Sequence, residues 1–376
     1  MKVCFFAHSA NLTGASRSLI DLLTVCKEVD VEPYAIIPKK GLIEEELKKN
    51  KIQYKVIPYC TMVKKSTFKN ILKKCINSIS LLLIGKYVRD NKIDIIHNNS
   101  SLIDIGMKVA KRNNIPYLCH IRDFGGEDHK IDFINPEELY KYIEEADKSI
   151  AISDSVFNKY SNLIPKAKMV KVYNGVNLNN YDIGQRDFSS KSVTNILISG
   201  RICEGKGQFE AIKAIEYLIN HNIKDIKLYV VGEGIKGEKY YDELREYVLE
   251  KKLESNIVFL PFMKDLREIR EKCDIALVCS VSEAFGRVTI ESMLSKQLVI
   301  GANTAATAEL IEDRVNGLLY NQGDYISLAN SIIFALENKI ECEEISNNGY
   351  NFAKDGFSIQ RTMKEIKNEY IKILKK

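Results

Sequence analysis

The sequence lacks the marks of a membrane-spanning, secreted or disulfide-stabilised protein. Its apolar runs all fall short of the roughly 18 residues that a bilayer-spanning helix needs. Residues 1–8 form an apolar stretch too brief for a signal peptide. The nine cysteines include no C-x-x-C pair and are irregularly spaced, which argues against zinc sites and disulfide frameworks. We therefore expect a cytoplasmic protein.

Internal repeats and low-complexity segments are also missing, and no serine or cysteine has the partner arrangement of a nucleophilic triad. What remains is the composition of an ordinary globular protein, with 45% hydrophobic and 28% charged residues in a chain of 376. This length is enough for about two domains of roughly 150 residues each.

Positive charge is concentrated in the first half of the chain. The net charge is +5, and residues 51–100 contain ten basic and two acidic side chains. A lysine-rich stretch at 64–92 surrounds the apolar run 79–84. This pattern fits either a basic amphipathic helix on anionic lipid or a helix packed on the sheet with solvated lysines. Nucleic acid is disfavoured as a partner, because no known nucleic-acid-binding module accompanies the charge.

Apolar runs alternate with helical patterns almost throughout, which predicts an α/β fold with parallel sheets covered on both faces. Turn residues and a polar stretch at 174–194 interrupt the alternation. We therefore expect two doubly wound domains, 1–175 and 176–357, facing a central cleft. Strands are expected to end near residues 8, 37, 57, 96, 120, 152 and 172, and to span 195–199, 227–231, 256–260, 274–279 and 298–300.

Two cations follow the first strand of the second half. Arg201 and Lys206 lie on the loop after strand 195–199, and Gly207 opens the next predicted helix. This combination suits a diphosphate, because amide dipoles, a guanidinium fork and an ammonium group all favour negative charge. The plain alternative is that both side chains belong to an ordinary surface loop.

Two carboxylates, Glu283 and Glu291, lie eight positions apart around a Phe-Gly step. Glu283 follows the apolar strand 274–279, and Glu291 is one to two turns into the next predicted helix. Ligands bind outside the carboxyl ends of the strands in open α/β sheets, where carboxylates accept hydrogen bonds from sugar or ribose hydroxyls. The alternative is a solvated loop residue and a helix residue stabilised by the helix dipole.

A glycine-rich turn from Gly232 to Gly237 formally matches the dinucleotide motif G-x-G-x-x-G. The following strand ends in Pro261, Phe262 and Met263, where the motif requires an acidic residue for the ribose. A nicotinamide or flavin site is therefore disfavoured. We expect the turn to lie beside another nucleotide ligand.

Together these motifs resemble the retaining glycosyltransferases of family 4, which have the GT-B fold of two Rossmann-like domains. The resemblance covers nearly the whole chain, and the order and spacing of the motifs carry it. The matching segments are Gly14, Asn174-Gly175-Val176, Arg201 with Lys206-Gly207, Val231-Gly232-Glu233-Gly234, the E-x7-E pair Glu283 and Glu291, Glu309-Leu310-Ile311, and Asn316-Gly317-Leu318-Leu319.

The resemblance implies a nucleotide-sugar donor held without a cofactor or metal. Arg201 and Lys206 would neutralise the diphosphate in place of a metal, so no Asp-x-Asp site is expected. Glu283 would contact hydroxyls of the donor sugar and Glu291 those of the ribose, while His120 matches the family's active-site histidine. Further donor contacts would come from Gly14, Gly232, Phe262, Met263, Phe285, Gly286, Arg287 and Val288.

The resemblance also assigns the acceptor to domain 1–175, joined by a C-terminal helix at 358–376, and the donor to domain 176–357. The acceptor would be a glycan or lipid-linked sugar in bacterial-type surface polysaccharide synthesis. The donor would be a UDP-sugar rather than a GDP-sugar on family frequency. The protein would be cytoplasmic, with a peripheral contact to the inner face of the membrane through 64–92.

On the acceptor side the candidates are His8, His97 and Arg122. Packing within the domain is the simpler role for either histidine, and Arg122 could bind an acceptor phosphate or pair with Asp123.

In the family's mechanism the acceptor hydroxyl attacks from the face that the nucleotide diphosphate leaves. Anomeric configuration is then retained, and catalysis rests on positioning and charge stabilisation. The chain departs from the family at Ala305-Ala306, where Gly-Gly is frequent near the donor sugar; the added methyl groups would narrow the pocket or alter loop flexibility. The alternatives are a GT-B epimerase, an inverting relative, or a non-catalytic nucleotide-sugar or glycan-binding protein. The intact cation and carboxylate pairs argue against all three.

Overall fold

A computed structural model describes residues 1–125, 131–181, 183, 184, 186, 188, 193–234 and 239–375. The chain divides into two compact units. The first unit consists of Met1–Val176 together with Phe357–Lys376, and the second of Asn177–Gly356.

The first unit is built on a seven-stranded parallel sheet in the order β3-β2-β1-β4-β5-β6-β7. Its central strands are apolar and buried, as expected of parallel strands covered on both faces. The strands are β1 (Lys2–Phe6), β2 (Glu32–Ile37), β3 (Gln53–Val56), β4 (Ile95–Asn98), β5 (Tyr117–Ile121), β6 (Lys148–Ala151) and β7 (Met169–Lys171).

Six helices connect these strands. Thr13, Asn135 and Ser153 begin three of them, each by accepting a hydrogen bond from a backbone N–H in the first turn. The helices are α1 (Gly14–Val25), α2 (Leu42–Lys49), α3 (Thr67–Asp90), α4 (Ile105–Asn113), α5 (Pro136–Glu145) and α6 (Asp154–Tyr160).

The second unit has a six-stranded parallel sheet in the order β10-β9-β8-β11-β12-β13. Its strands are β8 (Thr194–Ser199), β9 (Ile226–Val231), β10 (Ile257–Leu260), β11 (Ile275–Val278), β12 (Leu298–Ala302) and β13 (Leu318–Tyr320). Its helices are α7 (Gln208–Asn220), α8 (Lys239–Glu250), α9 (Arg267–Lys272), α10 (Arg287–Leu294), α11 (Ala305–Leu310), α12 (Tyr325–Glu337) and α13 (Lys339–Gly356).

The last helix, α14 (Ile359–Leu374), packs in the core of the first unit. Ser358 caps it by accepting from the backbone N–H of Arg361. Its buried face includes Met363, Ile366 and Tyr370. The first unit is therefore formed from two separate parts of the chain.

Every strand predicted from the sequence is present within a few residues, whereas β13, α9, α11 and α13 were not predicted. The α13 segment contains Asn347-Asn348-Gly349, which is typical of a turn. In the structure a Cβ atom at Gly349 would lie 2.7 Å from the carbonyl oxygen of Asn316. This helix therefore contains a glycine because another part of the backbone lies against it.

In the second sheet, β8 lies between β9 and β11, so the connections leaving β8 and β11 run in opposite directions. Such a switch point leaves a crevice at the carboxyl ends of the two strands, where open α/β sheets bind ligands. Arg201 and Lys206 follow β8, and Glu283 follows β11. No helix among the described residues is both long and apolar enough to cross a membrane.

Candidate functional site

The loops after β8 and β11 are joined by polar contacts. Lys206 Nζ donates to Glu283 Oε1, and Ser280 Oγ donates to the same oxygen at 2.6 Å. The backbone N–H of Val281 donates to the carbonyl oxygen of Gly205 at 3.1 Å. The structure thus brings together one predicted cation and one predicted carboxylate that are 77 positions apart in sequence.

Gly207 allows the β8 loop to approach β11 closely. Its φ of 69° lies in the left-handed region, and a Cβ atom there would lie 2.1 Å from the carbonyl oxygen of Cys279. Gly207 is also the N-cap of α7, so the free N–H groups of that helix begin beside Lys206. Arg201 is exposed on the same loop, and its carbonyl oxygen accepts from Gln208 Nε2 at 3.0 Å. The loop therefore offers two cations beside a helix N-terminus.

Glu291 lies on α10 in a buried cluster of charged and hydroxyl groups. Its Oε2 accepts from Arg270 Nη2 at 2.5 Å, and its Oε1 accepts from Arg287 Nε at 2.6 Å and from Tyr181 Oη at 3.0 Å. Burial raises the pKa of this carboxyl, but the two arginines outweigh it and lower the pKa to about 2. Glu291 is therefore ionised and holds two guanidinium groups in place.

The other predicted donor-binding residues of the second unit lie on strand ends and helix starts. Gly232 follows β9, Phe262 and Met263 follow β10, and Phe285 is buried just before α10. Gly286 caps α10 with a φ of 82°. The side chain of Phe262 is 45% exposed, so a flat apolar surface is available there. Gly237, in the glycine-rich motif, lies outside the described residues.

Ala305, where the chain departs from the family pattern, has a φ of 44°. This left-handed conformation costs an L-residue with a Cβ roughly 1–2 kcal/mol, and glycine adopts it freely. The next residue, Ala306, donates its backbone N–H to the carbonyl oxygen of Glu283 at 3.2 Å. A strained backbone position thus lies directly beside the Glu283 loop.

In the first unit, His120 belongs to a buried chain of hydrogen bonds. His120 Nδ1 lies 3.2 Å from Arg122 Nη2 and 3.1 Å from His97 Nε2, and His97 Nδ1 lies 2.5 Å from Tyr370 Oη. Arginine only donates, so His120 Nδ1 must accept, and neutral His120 carries its proton on Nε2. His97 Nε2 is then the donor to His120, and Tyr370 donates to His97 Nδ1.

This arrangement keeps both histidines neutral and leaves one N–H unused. Burial is the main cause that lowers the pKa of His97 and of His120 well below the usual value, and the positive charge of Arg122 is the second cause. His120 Nε2 is buried and has no hydrogen-bond partner among the described residues. It is therefore a buried hydrogen-bond donor that no described protein atom satisfies.

We expect nuclear magnetic resonance to show His97 and His120 as neutral Nε2–H tautomers throughout the neutral pH range. A long-range ¹H–¹⁵N correlation spectrum distinguishes tautomers, and the chain has only five histidines. In Arg122→Met the tautomer of His120 should become mixed and both pKa values should rise, because the donor and its charge are gone. The control Arg112→Met, at an exposed position, should change neither the tautomer nor the two pKa values. An unchanged His120 signal in Arg122→Met would contradict this role of Arg122.

The acceptor-side candidates differ in their surroundings. His97 is fully buried with both ring nitrogens hydrogen-bonded, so it packs inside the first unit. Arg122 donates to Asn99 Oδ1 at 3.0 Å and to Asn174 Oδ1 at 2.5 Å. His8 is partly exposed, and its Nε2 lies 3.5 Å from Thr13 Oγ1, beside Gly14 at the start of α1.

The residues of these clusters that were not anticipated from the sequence include Tyr181, Arg270 and Tyr370. Arg270 lies in the charged run of α9, where five of six residues are Arg, Glu or Lys, a pattern typical of a solvated helix. Tyr181 and Tyr370 belong to no sequence motif that would have singled them out. Within the described ranges, no group of three or more His, Cys, Asp or Glu is placed to hold a metal ion.

Comparison with known protein families finds a match in the second unit. Residues 185–352 match the family model described as Glycosyl transferases group 1. The whole chain is 24% identical over 388 residues to the GalNAc-alpha-(1->4)-GalNAc-alpha-(1->3)-diNAcBac-PP-undecaprenol alpha-1,4-N-acetyl-D-galactosaminyltransferase of Campylobacter jejuni, covering 100% of this chain and 98% of that protein.

Two further similarities agree with this match. The chain is 23% identical over 317 residues to the UDP-Gal:alpha-D-GlcNAc-diphosphoundecaprenol alpha-1,3-galactosyltransferase of Escherichia coli, covering 78% of this chain and 79% of that protein. Its fold is similar to the crystal structure of Anabaena HepE in complex with UDP-glucose, with a TM-score of 0.84, 22% identity and coverage of 99% and 100% of the two chains. The chain is therefore an enzyme with the GT-B fold whose residues 185–352 are similar to the group 1 glycosyltransferases.

Proposed function

We propose that the protein is a retaining glycosyltransferase of family 4 that transfers a sugar from a UDP-sugar to a lipid-linked acceptor in surface polysaccharide synthesis, without a metal. The observation that carries the proposal is the contact between Lys206 and Glu283 at the N-terminus of α7. In this contact an ammonium group that would bind the diphosphate lies beside a carboxylate that would accept hydrogen bonds from sugar hydroxyls, at the switch point of the second sheet. The two named relatives act on diphosphoundecaprenol-linked sugars, which supports a lipid-linked acceptor.

The proposed reaction assigns one task to each group. Arg201, Lys206 and the amides of α7 stabilise the charge that develops on the departing diphosphate. Glu283 accepts hydrogen bonds from donor-sugar hydroxyls, and the N–H of His120 donates to a ligand oxygen. The bond from the anomeric carbon to the diphosphate oxygen breaks, and the acceptor hydroxyl forms the new bond on the same face. Its proton passes to the leaving phosphate oxygen.

The proposal is tested by supplying UDP-glucose, UDP-galactose, their N-acetyl forms and a GDP-sugar in parallel, each with an undecaprenyl-diphosphate-linked sugar. We expect UDP release and an α-linked product with one or more UDP-sugars, unaffected by EDTA. The anomeric proton coupling of the product reports retention. A β-linked product would indicate an inverting relative, and an epimerised donor an epimerase. Tight donor binding without any turnover would indicate a binding protein.

We also propose that the enzyme is cytoplasmic and acts at the inner face of the membrane. A diphosphoundecaprenol-linked acceptor has its lipid in the bilayer, whereas a nucleotide sugar is a cytoplasmic metabolite. Fractionation of cells expressing the protein should find it partly with membranes and released by high salt. Recovery of all the protein with the soluble fraction at low salt would contradict this location.

A further inference from the structure

His120 is held from two sides within the first unit. Arg122 Nη2 donates to His120 Nδ1 at 3.2 Å, and His97 Nε2 donates to the same nitrogen at 3.1 Å. Both histidines are fully buried, and Arg122 is 7% exposed. Each donor favours the His120 tautomer that carries its proton on Nε2. The groups that fix these two donors therefore decide how firmly that proton is placed.

The guanidinium of Arg122 is itself fixed by two amide side chains. Its Nε donates to Asn99 Oδ1 at 3.0 Å, and its Nη1 donates to Asn174 Oδ1 at 2.5 Å. Asn99 Nδ2 donates in turn to the carbonyl oxygen of Ala15 at 3.2 Å. A planar guanidinium with an acceptor at each nitrogen cannot turn without breaking a hydrogen bond. The two asparagines thus aim Nη2 of Arg122 at His120.

The ring of His97 is fixed from the opposite side by α14. Tyr370 Oη donates to His97 Nδ1 at 2.5 Å, and the ring of Phe5 stacks on His97 at 4.8 Å between centroids. Because Nδ1 accepts, His97 carries its proton on Nε2, from which it donates to His120. Without the hydroxyl of Tyr370, His97 could hold its proton on Nδ1 and would then accept from His120. Tyr370 therefore acts on the proton of His120 through one intervening ring.

Asn174 and Tyr370 come from the two separate parts of the chain that form the first unit. Asn174 lies just before the first part ends at Val176, and Tyr370 lies on α14, in the part that begins at Phe357. A β-bridge between Val176 and Ser358 joins the two parts. Each part thus supplies one end of the hydrogen-bonded network around His120.

We propose that Asn174 and Tyr370 are positioning residues of the transfer reaction, which together hold the Nε2–H group of His120 in place. Asn174 acts through Arg122. Tyr370 acts through His97. This role rests on the proposed function, in which the N–H of His120 donates to a ligand oxygen. A neutral His120 with its proton on Nδ1 would present a lone pair to that oxygen and could not donate to it.

Nuclear magnetic resonance without substrate tests whether the two residues hold the proton. The double variant Asn174→Leu/Tyr370→Phe loses the outer group on both sides, so the His120 tautomer should become mixed. The control Asn77→Leu/Tyr59→Phe makes the same changes at buried positions of the first unit, where the amide and the hydroxyl hydrogen-bond to the backbone. It should leave the histidine signals as in the wild type. An unchanged His120 tautomer in Asn174→Leu/Tyr370→Phe would overturn the proposal.

Steady-state kinetics with the best donor tests whether this placement serves the reaction. In the double variant kcat should fall about tenfold or more, the usual effect of removing groups that orient a functional histidine, with little change in the donor KM. Asn174→Asp keeps an acceptor oxygen for Arg122 and should retain most of the activity that Asn174→Leu loses. Equal losses in these two variants, or an unchanged kcat in the double variant, would overturn the proposal.

The two measurements separate failure of this proposal from failure of the proposed function. A wild type that transfers no sugar from any donor would contradict the proposed function, whereas the tautomer of His120 in the double variant still decides whether Asn174 and Tyr370 hold its proton. Circular dichroism checks that the double variant is folded. If it is not, the single variant Tyr370→Phe removes only one oxygen atom and should give the same two changes at smaller size.

Discussion

Replacing Lys206 with glutamine is expected to lower kcat/KM for sugar transfer by about 100- to 1000-fold, the usual effect of removing one group that stabilises transition-state charge. The ammonium group lies beside the N-terminus of α7 and contacts Glu283, so its loss removes positive charge from the place where, in the proposed reaction, the diphosphate would depart. Steady-state release of UDP with the best donor measures the effect. The exposed Lys224→Gln, just beyond α7, is the matched control and should keep full activity.

A double-mutant cycle separates the two roles of Lys206. If its ammonium only held Glu283 in place, Lys206→Gln would cost nothing further in a Glu283→Gln background. We expect a further loss of at least about tenfold, because in the proposed reaction the charge would also stabilise the departing diphosphate. The side chains of Lys206 and Glu283 are 31% and 16% exposed, so thermal stability should change little in either variant. No additional loss in the double variant would show that the pair acts only through Glu283.

Replacing Glu291 with alanine is expected to destabilise the second unit by about 3–5 kcal/mol, because removing one partner leaves a buried charge uncompensated. Arg270 is 2% exposed and donates to Glu291, so its guanidinium would lose its carboxylate without gaining water. Urea unfolding followed by circular dichroism measures the difference. Glu268→Ala, on the exposed side of α9, should change stability by no more than about 0.5 kcal/mol. An equally small change in Glu291→Ala would show that the cluster around Glu291 contributes little to the stability of the second unit.

The stability that Glu291 contributes should be lost as the pH falls. Its pKa falls from 4.5 to about 2 in the folded protein. A lowered folded-state pKa gives stability that is present above about pH 4.5 and lost as the pH falls toward 2. The difference between wild type and Glu291→Ala should therefore shrink by about 3 kcal/mol between pH 5 and pH 2. A difference independent of pH would show that ionisation of Glu291 is not its source.

The parts of the candidate site that follow strands were predictable from the sequence. Arg201, Lys206 and Glu283 each lie just after an apolar strand pattern, and parallel strands end at one edge of a sheet. The environment of Glu291 was not predictable. Arg270 comes from a short helix whose charges resemble a solvated face, and its burial depends on tertiary packing.

The first unit shows the same division between local pattern and tertiary contact. The strand ending at His120 was predicted from its apolar run, and an amphipathic helix was predicted at the C-terminus. Neither pattern indicates that Tyr370 would hydrogen-bond to His97, because the period of a helix gives its buried face and not its partner. The left-handed backbone conformation of Ala305 is likewise seen only in the structure. The sequence held one indication of it, because the family frequently has glycine at this position.

The placement of α14 has a consequence for how the protein is made. The second unit is one continuous segment, whereas the first needs residues from both sides of it. During synthesis the ribosome completes the whole second unit before it reaches α14, whose Met363, Ile366 and Tyr370 lie in the core of the first. Domains generally fold as units as they emerge. Part of the apolar core of the nascent first unit therefore stays exposed until the second unit and then α14 have been translated.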